Sequence, residues 1–68
     1  MTDIALREIR KHYNDITKLE QRQHYYEEQA ATLRERAEND IDQFNMLTHC
    51  AQYMDETAYK IRLFIIND

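Results

Sequence analysis

Apolar residues recur at Leu6, Ile9, Tyr13, Ile16 and Leu19, then at Tyr26, Ala30, Leu33 and Ala37, with Gln23 as the polar interruption. Gaps of three and four mark a helix with one buried face. The stripe drifts slowly around that helix, as a 3.5-residue period requires, and this predicts a left-handed coiled-coil-like seam. Tyr13, Ile16 and Leu19 follow one another at gaps of three, a stammer beside Asn14-Asp15. Asp15 can cap a fresh helix, so the stammer predicts a kink and a short, separate N-terminal arm.

The second half is greasier. Ile41, the reference position, is followed by Phe44, Leu47, Ala51, Met54, Ala58, Ile61 and Ile65, which share an arc of about 100°. A second line, Met46, Cys50, Tyr53 and Phe64, with Thr57 as its most polar member, lies beside that arc. About half the circumference is then apolar, more than a helix packed on one neighbour needs. The segment calls for two neighbours, and Met46, Cys50, Tyr53 and Phe64 are the expected oligomer contact.

Asn39-Asp40 decides the architecture. Asn39 tolerates the left-handed conformation that ends a helix, and Asp40 with Gln43 three residues on fits a capping box. A turn there leaves matched arms, 15–38 and 40–66, after a first arm at 3–13. The competing reading is a continuous rod, since Ala37, Ile41 and Phe44 carry the apolar spacing through the corner. The favoured expectation is all-α: a helical hairpin with a short kinked N-terminal helix, assembling as a coiled-coil-like bundle. The tail "KIRLFIIND" continues the helical spacing of Met54 and Ala58; its strand reading, Ile61, Leu63 and Ile65 alternating, is the weaker one.

Composition sharpens this. Across 68 residues there is no Gly and no Pro, which disfavours hairpin turns of β-structure and favours helices with short connections. The net charge of −4 falls wholly in residues 37–68, and only "REIRKH" is locally basic, so a nucleic-acid surface is not expected. No leader segment is expected in "MTDIALREIRKHYND", and the longest apolar run, "LFII", is far too short for a membrane span. One cysteine, Cys50, excludes an internal disulfide and suits the cytoplasm.

Candidate chemistry is sparse. Glu20, His24 and Glu28 share a helical face, but a solvated row of Glu–His pairs explains them better than a metal. His49 and Cys50 are adjacent, hence about 100° apart, which is poor geometry for a nucleophile and its base. Cys50 is expected as a small buried apolar residue, and His12 as a cation suiting the end of a short helix. Tyr25, with Arg22 and His24 nearby, is the expected contact for a protein partner. No catalytic residue, metal or cofactor is expected. The reading is a non-enzymatic interaction protein, dimeric, acting as an inhibitor or regulatory adaptor of a larger protein. The alternative is a small-ligand or ion module at the subunit interface, using Arg22, His24, Tyr25 and Tyr26, or Arg7, Arg10 and Lys11 for an anion.

Overall fold

Two aspartates start the first two helices in the same way. The Asp3 carboxylate accepts from the N–H groups of Ala5 (3.0 Å) and Leu6 (3.4 Å), and α1 runs Ile4–His12. The Asp15 carboxylate accepts from the Lys18 N–H (3.1 Å), and α2 runs Ile16–Asn39. Each cap satisfies amides that the first turn of a helix leaves without a partner. Between them the chain breaks at Tyr13-Asn14, closed by the Asp15 N–H donating to the His12 carbonyl (2.9 Å). The computed structural model describes residues 3–67, and α3, Phe44–Asn67, completes an all-α fold with no strand among those residues.

The corner between α2 and α3 is real, but its chemistry differs from the expectation. No residue described has positive φ, so Asn39 is not left-handed; it ends α2 as a helical residue, its amide donating to the Glu35 carbonyl (3.1 Å). Asp40 makes the corner itself, with extended backbone at φ −136° and ψ 89°. Its N–H reaches the Ala37 carbonyl (3.4 Å), and its own carbonyl accepts from the Gln43 N–H (3.2 Å), opening a single 3-10 turn at Ile41–Gln43. The Asp40 side chain makes no capping bond, so the expected capping box is absent. One extended residue turns the chain, which is why no glycine is needed there.

α2 and α3 pack antiparallel over their length, and the molecule measures 42 × 23 × 17 Å. A 24-residue helix is about 36 Å long, so these extents exclude the rod. Near the corner the seam is built from small residues: Ala30, Ala37 and Ala51 are fully buried, with Leu47 beside them. At the open end the core is larger. Leu19, Tyr26, Ala58 and Ile61 cluster with Ala5 of α1, and Ile4, Ile9, Met54, Phe64 and Ile65 pack around them. Burying Leu19 and Ile61 contributes about 1.5–3 kcal/mol each. Thus α1 folds back across the open end and touches both long helices. Its far end is tied by Asp3 to Lys60 (3.2 Å), and Arg34 pairs with Asp55 across α2 and α3.

The demand of α3 for two neighbours is therefore answered within the chain along its C-terminal half. Thr57, expected on the outer line, is buried; its hydroxyl donates to the Tyr53 carbonyl (3.0 Å), so its polarity costs little there. The tail is helix, not strand. Other expectations fail. Leu6, Tyr13 and Ile16 are exposed: Leu6 lies on α1 away from the core that takes Ala5 and Ile9, Tyr13 falls in the break between the helices, and Ile16 is the first residue of α2. Ile41 is 86% exposed, since the corner ends the stripe that spacing seemed to carry through it, and Phe44 is half exposed. Cys50 is exposed as well, because α1 stops short of it.

Candidate functional site

Glu8 is the hub of the contact between α1 and α2. Its carboxylate accepts from Arg22 Nε (3.1 Å), from Arg22 Nη2 (3.4 Å) and from the Tyr26 hydroxyl (3.3 Å). Arg22 Nη2 also donates to that hydroxyl (3.3 Å), and His12 Nε2 lies 3.7 Å from Glu8. Arg22 spreads its guanidinium over the Tyr25 ring at 4.5 Å, while Tyr25 meets Tyr26 edge-on at 5.2 Å. The charge-assisted fork and the stacking hold one arginine in a single place. Its hydrogen bond with Tyr26, then its attraction to Glu8, raise the Arg22 pKa, whereas burial pushes the Tyr26 phenol up. The Asp3 carboxyl is held below its ordinary range, first by its bond with Lys60.

Beside this clasp, between α1 and α2, a cleft of about 410 Å³ is lined by Glu8, Lys11, His12, Lys18 and Arg22. Its single carboxylate is already taken by Arg22 and Tyr26, so the lining carries an excess of positive charge in an acidic chain.

A second hollow has the opposite character. His49, Cys50, Tyr53 and Met54 line a groove of about 280 Å³ on α3, and its walls are almost wholly apolar. Met46, one turn before Cys50, is 58% exposed. This groove lies on the same line as Phe64, which packs against the core cluster further along the helix. Of the four residues expected at an oligomer contact, Met46 and Cys50 are exposed, and Tyr53, half-buried, lines the groove. Phe64 is half-buried against the core cluster.

The residues expected to meet a protein partner lie together on α2 but in different states. Arg22 is engaged in the clasp, and Tyr25 is 44% exposed with the guanidinium on its face. His24 points to solvent and pairs with Glu27 at 3.7 Å. Reading the sequence missed Glu8 and the cap at Asp3; "TDIA" carried a capping signal, whereas nothing local to Glu8 marks its partners 14 and 18 positions away. No hydrogen bond joins His49 to Cys50, and no group of three His, Cys, Asp or Glu side chains among the described residues could hold a metal. No described helix is long and apolar enough to cross a membrane. No family model, no curated protein and no solved structure matches this chain.

Proposed function

We propose that this chain is a non-enzymatic interaction protein that pairs with a second copy of itself through α3. The pair, a bundle of two hairpins, acts as an inhibitor or regulatory adaptor of a larger protein. One observation supports the reading: the second apolar line of α3 is packed against the core cluster at Phe64 but exposed at Met46 and Cys50, where half-buried Tyr53 lines an apolar groove. A contiguous apolar patch of this kind marks an interaction surface. Tyr25, stacked under Arg22, offers the partner a rigid aromatic contact with little entropy left to lose. A cytoplasmic setting belongs to the proposal, because an exposed lone thiol suits a reducing compartment.

Sedimentation equilibrium at micromolar concentration tests the pairing. The native protein is expected at twice its chain mass of 8.3 kDa, and Tyr53→Glu at the mass of one chain. A monomeric native protein, or a Tyr53→Glu variant that stays dimeric, overturns it. For the partner role, a host protein retained by the immobilised native chain should be lost with Tyr25→Ala, while the dimer persists.

The basic cleft favours a second reading, a small-anion site lined by Lys11, His12, Lys18 and Arg22. Inorganic phosphate at about a hundredfold excess over its dissociation constant would stabilise the fold by about 2.7 kcal/mol. An unmoved melting temperature up to tens of millimolar phosphate removes this reading.

A further inference from the structure

We infer that the cleft between α1 and α2 binds a phosphate monoester dianion, which bridges the two helices and holds α1 in its docked position. The inference rests on the small-anion reading above, not on the pairing, and adds the class of the ligand and what its binding does.

Charge sets the class. Lys11, Lys18 and Arg22 line the cleft against one carboxylate, Glu8, so two positive charges stand unbalanced before His12 is counted. A phosphate monoester carries about −1.5 to −2 at pH 7 and three strong acceptor oxygens. A carboxylate brings one charge and two oxygens. A polyanion fits less well, because the chain as a whole stands at −4 and repels a long acidic ligand along its length. A small ligand sees the local lining instead, since charges beyond about 8 Å are screened at physiological salt. The volume of about 410 Å³ lies within the range of small-molecule sites and leaves room for an organic group beyond the phosphate.

The donors are arranged before any ligand arrives. Arg22 is fixed by Glu8 and Tyr26 through Nε and Nη2, and its Nη1 has no hydrogen-bond partner among the described residues. A guanidinium held by one edge keeps the other for an anion at small entropic cost. Lys18 stands in the first turn of α2, where the helix dipole disfavours a cation, and no acidic residue shares that turn. An anion beside it offsets that penalty.

Bridging follows from where the cations stand. Lys11 and His12 end α1, whereas Lys18 and Arg22 belong to the first two turns of α2. Like charges from two helices thus face one cleft, and an anion between them turns repulsion into attraction. α1 has nine residues, too few for a stable helix by itself, and its Asp3–Lys60 tie is solvent-exposed and contributes little. Its docking therefore has stability to gain.

Thermal unfolding in inorganic phosphate, glycerol phosphate and acetate, at one pH and ionic strength, tests the class. Both phosphates should raise the melting temperature by several degrees at saturation, and acetate should not. Lys11→Gln and Lys18→Gln should each weaken phosphate binding about tenfold. Arg36→Gln, about 21 Å along α2 from Arg22, should leave it unchanged. Amide hydrogen exchange tests the bridge: saturating phosphate should slow exchange at residues 8–12 by more than at residues 47–51. Equal stabilisation by acetate overturns the dianion and leaves an anion site. Native affinity in either lysine variant overturns the cleft as the site, and equal slowing of both segments overturns the bridge. No response to either phosphate removes this inference and the small-anion reading together.

Discussion

Tyr26 holds two environments at once. Its ring is buried against Leu19, Ala58 and Ile61, while its hydroxyl lies between Glu8 and Arg22. Ionising that hydroxyl would put an anion in a poorly solvated place beside a carboxylate, and burial is the larger cause of the raised pKa. The unfolded chain therefore loses this proton near the ordinary value of about 10, before the folded one does. The stability tied to the neutral phenol is complete below about pH 10 and is lost as pH climbs towards the higher folded value. Tyr26→Phe keeps the ring and removes both effects. It should cost about 0.5–1.5 kcal/mol near neutrality, the net worth of a hydrogen bond. It should also flatten the alkaline fall in stability. Urea unfolding followed at about pH 8 and at about pH 10.5 would show both. An alkaline limb identical to that of the native protein would place the titration on another tyrosine.

At the level of elements, one dipeptide is used in two ways. Asn14-Asp15 and Asn39-Asp40 look alike, and each precedes an isoleucine and a helical run. Asp15 caps α2 with its side chain; Asp40 turns the chain with its backbone and caps nothing. Asp15→Ala should therefore cost about 1 kcal/mol, and Asp40→Ala should stay within about 0.5 kcal/mol. Thermal unfolding of both variants tests the contrast, and equal losses would contradict it. The stammer and the Asp15 cap pointed to the first corner; at the second the Asn39-Asp40 pair favoured a turn, while the spacing Ala37, Ile41, Phe44 argued for a rod and the expected cap did not form. Which atoms make the corner was beyond the sequence, since side chain and backbone compete for the same amides. The docking of α1 was equally hidden. Periodicity says that Leu6 and Tyr13 could share one face with Leu19, but residues 13–15 break the helix between them, and no spacing records the angle at which α1 then docks. Thr57 was misplaced as well: the line it shares with exposed Met46 and Cys50 is buried at its own level. The open groove was legible as an excess of apolar perimeter; the end of α3 that carries it was not.

For the molecule as a whole, size sets the terms. A chain of 68 residues buries only about 60% of the surface it exposes when unfolded. Leu19 and Ile61 are the largest side chains fully enclosed, and the seam near the corner is alanine. Small residues let α2 and α3 approach closely but bring little apolar area with them, so the hairpin is least stabilised where α1 is absent. Covering Met46, Cys50 and Tyr53 with a second copy would strengthen that same half. Folding and pairing should then be linked, because whatever binds only the folded chain shifts its unfolding equilibrium by mass action. The melting temperature of the native protein is expected to rise by several degrees over a roughly hundredfold increase in concentration. Tyr53→Glu should keep the helical circular-dichroism signal and melt at one temperature throughout that range. If the native protein also melts independently of concentration, its stability is intrinsic to the three packed helices. The alanine seam would then suffice by close approach alone, with the α3 groove left facing water.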